Sequence, residues 1–324
     1  MSLDMQQRDR LLSWTERHLL DRQALEAVAS EGRLVPGTRE WRQLLDRVLA
    51  GTGVLLVALG VVFFFAWNWD ELPRFGKFAL AASVLSGFAG TAMLSAYRSV
   101  LQRAALLGCC VATGALLALI GQTYQTGADI WQLFAVWALL MLPWAWLSGS
   151  VACWGLWWAV ANLALLRFFS ASMWFGLFAG FSGHEALLII AVANLSALGL
   201  FELAGRRLLG HGGRGLHRLC ALAGLTALLL GGMIGWWQAP FEPLLIGFAL
   251  AVLLGVPLYR WWRLDLPILA LLLFDLIALA SAGVFKVLME HEGFFAFNAI
   301  GLFVVVSSAL ASLWLHHIYR SARE

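Results

Sequence analysis

The sequence predicts an all-α, polytopic membrane protein with about ten spans, and its composition and the form of its apolar runs both support this fold class. Hydrophobic residues make up 61% of the 324 residues, charged residues only 13%, and the mean hydropathy is +0.80. A soluble domain of this length cannot bury so much apolar surface, so the bilayer must act as its solvent. The apolar runs are continuous rather than alternating, which favours transmembrane helices over the strands of a closed barrel.

Residues 1–47 form the only sizeable polar region, and we predict a cytoplasmic helical module here. Its arginines are balanced by acidic residues, which argues against a nucleic-acid-binding arm. We expect the module to contact a cytoplasmic protein partner, and we expect a further helix from Thr38 to continue without a breaker into the first span. We expect two or three short helices that pack through Trp14, Leu19, Leu25 and Val28, which belong to a helical apolar stripe.

The transmembrane domain is predicted to cover residues 48–324. A hydrocarbon core about 30 Å thick needs roughly 20 helical residues per crossing. The apolar stretch 131–167 is too long for one crossing, and Pro143 with the following Ser-Gly-Ser sequence supplies a reversal. Residues 169–183 are apolar, short and glycine-containing, so we predict an interfacial or re-entrant segment there. The predicted spans are 48–67, 75–97, 104–121, 131–147, 150–167, 185–204, 218–237, 243–260, 267–286 and 294–315.

With ten crossings, the arginine-rich loops lie on the same side of the membrane as the N-terminal module. The positive-inside rule makes that side the cytoplasm. Asp129 and Glu242 then lie outside, in loops that contain few cations. We therefore expect the bacterial inner membrane, with the N-terminus and the C-terminus in the cytoplasm. The arginines on that side are Arg98, Arg103, Arg206, Arg207, Arg214, Arg218, Arg260, Arg263, Arg320 and Arg323.

Three motifs of the first half occur in a recognisable order. FAWNWDELP at 65–73 ends the first span, GQTYQ follows at 121–125, and an apolar span with tryptophan and proline covers 131–143. This pattern resembles the family catalogued as "domain of unknown function 2157", a family of predicted bacterial membrane proteins, and residues 14–32 resemble its N-terminal module. The resemblance covers roughly residues 10–150 and implies a membrane location, without a substrate or a catalytic residue.

Polar groups at the outer ends of the first, third and fourth spans form the candidate ligand-binding site. If consecutive spans pack as neighbours, these amides, carboxylates and the phenol come together with aromatic rings. Such a set can bind a polar headgroup or a sugar by hydrogen bonding and stacking. The alternative is that the amides cap helix ends and the tryptophan anchors the membrane interface. The candidate residues are Asn68, Trp69, Asp70, Gln122, Tyr124 and Asp129.

Four polar residues are predicted to lie inside spans. We expect Asp275 to face the bundle interior, either as a structural hydrogen-bonding group or in proton coupling. Asn162, Asn194 and Asn298 are expected to form interhelical hydrogen bonds. Near the cytoplasmic boundary, Glu202 precedes an arginine by one turn and predicts a local ion pair with Arg206.

The sequence contains no motif that indicates an enzyme or a cofactor site. The histidines are scattered, the four cysteines lack metal-ligand spacing, and no nucleophile with its base or phosphate-binding glycine loop is evident. We interpret the chain as a protein that binds or scaffolds an envelope component or a membrane partner. The alternatives are a transporter of a small or lipid-linked solute and a membrane-embedded transferase or hydrolase. The sequence does not indicate an oligomeric state.

Overall fold

The computed structural model describes residues 73–124, 127, 129–175, 183–210, 214–288 and 293–321, together with isolated helical residues between Trp41 and Gly60. For residues 170–175 and 293–297 it describes the backbone alone. Regular structure in these ranges is helical throughout, and nine helical stretches are long and apolar enough to cross a membrane. The prediction of an all-α bundle of about ten spans, in contact with the lipid bilayer, is therefore confirmed. The predicted first span falls largely outside the described residues.

Each predicted span from 75–97 onward coincides with one of the nine stretches to within a few residues. Two stretches are compound, since α3 and α4 make one crossing, and a 3-10 turn, α8 and a π-helical turn make another. The helices are α1 Arg74–Leu94, α2 Val100–Tyr124, α3 Ile130–Leu140, α4 Leu142–Ser148, α5 Val151–Phe175, α6 Gly183–Leu208, α7 Gly215–Gly235, the 3-10 turn Ala239–Phe241, α8 Glu242–Pro257, the π-helical turn Leu258–Trp262, α9 Leu266–Leu288 and α10 Gly293–Ser321.

Proline and glycine divide the chain between α3 and α5. Pro143 lies in the first turn of α4, where a missing N–H costs no helical hydrogen bond, so the break at Met141 separates α3 from α4 within one crossing. Gly149 follows α4 with a φ of +52°, a left-handed conformation that glycine adopts without a Cβ penalty. The chain reverses at Gly149, within the predicted Ser-Gly-Ser turn.

The segment predicted as interfacial or re-entrant is in part a continuation of the preceding span. Helix α5 extends to Phe175, and α6 begins at Gly183, while residues 176–182 lie outside the described residues. No glycine or proline interrupts residues 169–175, and Gly176 is the first of the glycines on which the prediction rested. A membrane crossing could end near residue 169, but the first helix-weakening residue is Gly176. The helix therefore continues beyond the length that a crossing needs.

Helices α2 and α7 are the centres of two packed groups. In the most apolar 18-residue segment of each of these two helices, half of the residues are buried. In the corresponding segment of α10 none are buried. Helix α2 packs against α1, α3, α4 and α5, and α7 packs against α6, α8 and α9. Small residues allow this approach, because Gly108 lies under the ring of Phe88 and Gly224 lies under Leu195. The cysteines, predicted as small buried residues, are buried and free.

Contacts between turns define two ends of the bundle. At the arginine end, Gly210 approaches Gly149 so closely that a Cβ on Gly210 would lie 2.9 Å from the Gly149 carbonyl oxygen. At the opposite end, the rings of His184 and Phe241 are 5.6 Å apart. There too, the Lys286 ammonium donates to the carbonyl of Trp236, which follows α7. Helix direction places the turns rich in arginine at the first end, and Asp129 and Glu242 at the other.

Candidate functional site

An ion-pair cluster lies at the arginine end, where α6 ends, α7 begins and α8 gives way to α9. The cluster combines two acidic side chains, which are almost fully buried, with three arginines that are 29% to 46% exposed. Residues of α6, of the α6–α7 connection with the start of α7, and of the α8–α9 connection contribute to it, so the cluster holds four helices together at one end. Its members are Glu202, Arg214, Arg218, Arg263 and Asp265.

Asp265 is the most deeply buried member of this cluster. It precedes α9 and takes the N-cap position, where its Oδ1 accepts a hydrogen bond of 3.4 Å from the Ile268 backbone N–H. Arg214 donates to its Oδ2, and the Nε of Arg218 donates to its Oδ1 over 3.1 Å. A carboxylate with a fully buried side chain requires such compensation, because an unpaired buried charge is costly.

Glu202, near the end of α6, contacts three partners from the two following turns. Its Oε1 accepts from Arg214 and from the Tyr259 hydroxyl, at 3.1 Å for the latter, and its Oε2 accepts from Arg263 at 3.1 Å. The predicted local ion pair with Arg206 is therefore wrong. The two oxygens of Glu202 are directed toward the start of α7 and the α8–α9 connection. Tertiary packing brings Arg214 and Arg263 there, and these partners cannot be predicted from the sequence of α6 alone.

Arg214 connects the two acidic groups. Partial burial acts to lower its pKa, but the hydrogen bond with Asp265 and the negative charges of Glu202 and Asp265 outweigh burial, so the pKa of Arg214 is raised. Its guanidinium also lies 5.9 Å from the centre of the Tyr259 ring. The guanidinium is therefore held in place from three directions and remains charged.

An apolar cavity of about 420 Å³ opens beside the cluster. Helices α6, α7, α8 and α9 all contribute to its wall, with Leu198 and Gly199 from the first and Leu225 from the second. A volume of this size falls in the range typical of small-molecule and cofactor sites. Several wall residues are exposed on the outer surface of the bundle, with Leu203 at 89% and Trp262 at 82%. The cavity is therefore open at the surface of the bundle.

A second cavity of about 770 Å³ adjoins the first and is basic. Four arginines line it, and Glu202 is the only acidic residue among its lining residues. Arg206 and Arg207 are exposed, and no carboxylate of the described residues lies within ion-pair distance of either. The residues common to both cavities are Glu202, Leu203, Trp262 and Arg263. The two cavities therefore adjoin at these residues; the first has a mainly apolar wall, and the second is positively charged.

The outer candidate site is described only in part. Gln122 and Asp129 line one cavity of about 620 Å³ at the opposite end of the bundle. Tyr124 is exposed, and its ring stacks on Phe78 with centroids 5.7 Å apart. The structure thus brings Gln122 and Asp129 to one cavity and directs Tyr124 to α1. The remaining predicted members, Asn68, Trp69 and Asp70, lie outside the described residues.

The asparagines inside the bundle form a network between α5 and α6. The Nδ2 of Asn194 donates to the Oδ1 of Asn162 over 2.8 Å, and the Trp158 indole donates to the Oδ1 of Asn194 over 2.8 Å. Asn298 lies on the exposed side of α10. Asp275 is half-buried, and its Oδ2 has no hydrogen-bond partner among the described residues.

The joined cavities and the ion-pair cluster are the features that sequence reasoning missed. Two signals were present in the sequence. Asp265 directly precedes Leu266–Pro267 and an apolar run, which is an N-cap position, and Glu202 is an acidic residue in the last turns of an apolar span. Neither signal predicts the cavity, because its wall is formed by side chains of four helices.

Comparison with known proteins gives one match. Residues 12–154 match the model of the family described as "Predicted membrane protein (DUF2157)", so the predicted resemblance is confirmed over that part of the chain. No curated protein and no solved structure shows significant similarity to the chain. The ion-pair cluster and the joined cavities lie beyond the matched residues.

Proposed function

We propose that this multi-pass protein resides in the bacterial inner membrane and binds an amphiphilic component of the envelope, in a binding or scaffolding role. The observation that carries the proposal is that an apolar and a basic cavity adjoin at the arginine end, where both are lined by Glu202, Leu203, Trp262 and Arg263. The hydrocarbon part of the ligand occupies the apolar cavity, where burial of each methylene is worth about 0.8 kcal/mol. The polar part lies in the basic cavity.

The depth of the site supports an amphiphile over a purely soluble ligand. Trp261 and Trp262 are 78% and 82% exposed at this end of the bundle, as expected of indole rings at the level of lipid headgroups. Leu203 and Leu254 line the apolar cavity and are exposed on the same outer surface. A lipid can therefore enter sideways from the bilayer, with its chain beside these leucines and its headgroup at the arginines.

The orientation follows from charge. Under the positive-inside rule, the arginine end faces the cytoplasm, which assigns the site to the inner leaflet and both termini to the cytoplasm. In this orientation, residues 1–47 can contact a cytoplasmic partner while the site holds its ligand. The cavity with Gln122 and Asp129 then faces the periplasm, where it is a second candidate for contact with an envelope component.

Transport of a lipid-linked solute is the alternative. Transport needs a path between the two ends of the bundle, and Asp275 would be its candidate proton-coupling group. Asp275 lines neither the joined cavities nor the cavity with Gln122. Binding requires no such path, and we therefore favour it over transport.

The test is to fill the apolar cavity. Gly199 lines it, and a Cβ at this position would meet nothing within 4 Å, so Gly199→Phe adds a ring in the cavity without a clash at Cβ. The matched control is Gly87→Phe, at a helical glycine of α1 whose Cβ also meets nothing within 4 Å. Both variants are reconstituted in nanodiscs with phospholipids that carry a photoreactive acyl chain, and crosslinked residues are located by mass spectrometry.

We expect labelling of the cavity residues in the natural protein and in Gly87→Phe. In Gly199→Phe it should fall about tenfold or more, since exclusion of two or three methylenes from the cavity removes roughly 2 kcal/mol of binding free energy. Labelling of the cavity that is equal in all three proteins would contradict the proposal.

A further inference from the structure

We infer that the ligand of the joined cavities is a lipid that ends in a phosphate monoester, whose phosphate binds Arg206, Arg207 and Arg263. This inference rests on the proposed function and specifies its ligand. It depends on three properties of the basic cavity: its charge, the engagement of its acidic groups, and the accessibility of Arg263.

The basic cavity has an excess of positive charge. Its lining includes four arginines, Arg206, Arg207, Arg214 and Arg263, against one carboxylate, that of Glu202. Asp265 neutralises Arg214 from beneath, as its side chain is fully buried against that guanidinium. Asp265 also pairs with Arg218, so five positive charges against these two negative charges leave an excess of about three. A phosphate monoester carries about −1.5 to −2 charges near neutral pH and thus neutralises at least half of this excess.

The acidic groups of the cluster cannot neutralise Arg206 and Arg207. Both oxygens of Asp265 accept hydrogen bonds from Arg214 or Arg218, and both oxygens of Glu202 accept from partners on the π-helical turn or from Arg214. The two remaining arginines extend from the last turn of α6 into the basic cavity. Their planar guanidinium groups suit bidentate hydrogen bonding to phosphate oxygens.

Arg263 links the phosphate position to the apolar cavity. It lines both cavities, it is 46% exposed, and its only acidic partner among the described residues is the Oε2 of Glu202, 3.1 Å from its Nη1. A phosphate beside Arg263 can take the place of that oxygen, while the Oε1 of Glu202 keeps its bonds to Arg214 and Tyr259. The lipid chain then continues from the phosphate into the apolar cavity at Leu203 and Trp262.

Charge also ranks the main competing headgroup classes below a terminal phosphate. A phosphatidylethanolamine headgroup brings an ammonium group toward Arg206 and Arg207 and carries no net negative charge. A phosphatidylglycerol headgroup carries one negative charge and neutralises about a third of the excess. A lipid with a terminal phosphate neutralises it most fully, so the order of affinity should follow the headgroup charge.

The experiment uses the same nanodisc crosslinking with three photoreactive lipids of identical chains: phosphatidic acid, phosphatidylglycerol and phosphatidylethanolamine. We expect phosphatidic acid to label the cavity residues at least tenfold more strongly than phosphatidylethanolamine, with phosphatidylglycerol between them. The double variant Arg206→Gln/Arg207→Gln, which alters two exposed side chains outside the ion-pair cluster, should reduce this preference to about twofold. The control is Arg320→Gln, an exposed arginine at the C-terminal end of α10 that lines neither cavity and should leave the preference unchanged.

The outcomes separate this inference from the proposed function. Strong labelling of the cavity by all three lipids without preference overturns the phosphate inference and leaves the proposed function standing. No labelling by any lipid overturns both. Equal loss of preference in Arg320→Gln and in the double variant assigns the effect to general surface charge and overturns the inference. Inorganic phosphate is added as a competitor, and its full displacement of phosphatidic acid at low millimolar concentration would identify a site for free phosphate and overturn the lipid assignment.

Discussion

The group of helices around α2 and the group around α7 solve the same packing problem with different side chains. Around α2, indole rings fill the interfaces, and Trp137 and Trp157 donate hydrogen bonds to backbone carbonyls of neighbouring helices. Around α7, leucines fill the interfaces, as where Leu195 and Leu244 lie over glycines of α7. In the first group, hydrogen bonds fix the orientation of the indole rings. The second group is held by flexible side chains and by the ion-pair cluster at its end.

This difference has a physical reason and a functional consequence. A buried indole N–H needs an acceptor, so each tryptophan that finds one also fixes the distance between two helices. Leucines impose no such distance, and the helices around α7 leave a cavity of about 420 Å³ between them. Their ends are held instead by Asp265 and Glu202. In the α7 group one indole, that of Trp236, donates to the Leu279 carbonyl of α9 near the opposite end of the bundle. The group is therefore less constrained by indole bonds at the arginine end, where it can accommodate a chain-like ligand.

The largest expected effect is the loss of Asp265. In Asp265→Ala, Arg214 and Arg218 lose a fully buried partner and α9 loses its N-cap, so the free energy of unfolding should fall by about 3 kcal/mol. The buried cysteines are the reporters: Cys220 belongs to α7 and Cys110 to α2. Labelling with a thiol reagent during heating in detergent should expose Cys220 at a lower temperature than in the natural protein, and earlier than Cys110.

The control for this prediction is Glu242→Ala, which removes an exposed acidic residue from the first turn of α8. Its effect should be about 0.5 kcal/mol, the worth of a favourable charge near a helix N-terminus. If Asp265→Ala and Glu242→Ala shifted the exposure of Cys220 equally, the cluster would not be what holds the α7 group together.

An intermediate loss of stability is expected when alanine replaces a glycine that packs under an indole ring or under a leucine. A Cβ at Gly114 would lie 2.3 Å from the Trp137 ring, which its indole hydrogen bond to the Cys110 carbonyl holds in place. Gly114→Ala should therefore cost about 1–3 kcal/mol through overpacking. A Cβ at Gly231 would lie 2.6 Å from the Cδ2 of Leu244, which can rotate away, and 2.9 Å from its Cβ, which cannot. Gly231→Ala should therefore be destabilising but cost less than Gly114→Ala.

The measurement is the temperature at which Cys110 and Cys220 become reactive in each alanine variant. Gly155→Ala is the control, since a Cβ there meets nothing within 4 Å and should leave both temperatures unchanged or slightly raised. A larger loss for Gly231→Ala than for Gly114→Ala would contradict the idea that indole packing makes the α2 group the more rigid one.

The smallest effect is expected where the two groups meet. Asn194→Leu removes the bonds to Asn162 and Trp158 that join α5 to α6, which should cost about 1 kcal/mol, in the range measured for interhelical hydrogen bonds in membranes. Because this network belongs to both groups, Cys153 and Cys220 should become reactive at temperatures lowered by similar amounts. Ser83→Ala is the control, because the Ser83 hydroxyl bonds only within its own helix, to the Ala79 carbonyl. A shift confined to one cysteine would show that the network stabilises one group alone.

Most of the helical architecture was predictable from the sequence. Nine predicted spans correspond to nine helical stretches, and the reversal after Pro143 occurs at Gly149. The end of α5 was placed too early, because a span needs only about 20 residues whereas a helix continues until something stops it. The outer site stays a prediction, because Asn68, Trp69 and Asp70 lie outside the described residues. Of its other members, Gln122 and Asp129 line one cavity, whereas the Tyr124 ring stacks on Phe78.

The sequence by itself determined the membrane class, the positions of the crossings and the ends at which arginines lie, because apolar length and loop charge are local properties of the chain. Only the tertiary structure decided which charged groups meet. Glu202 pairs with Arg263, 61 residues away, rather than with Arg206 one turn along, and Asp265 pairs with Arg214 from a different turn. These ion pairs form because the packing of four helices brings their ends together. The space left between those helices is a property of the packing as well, and no single segment encodes it.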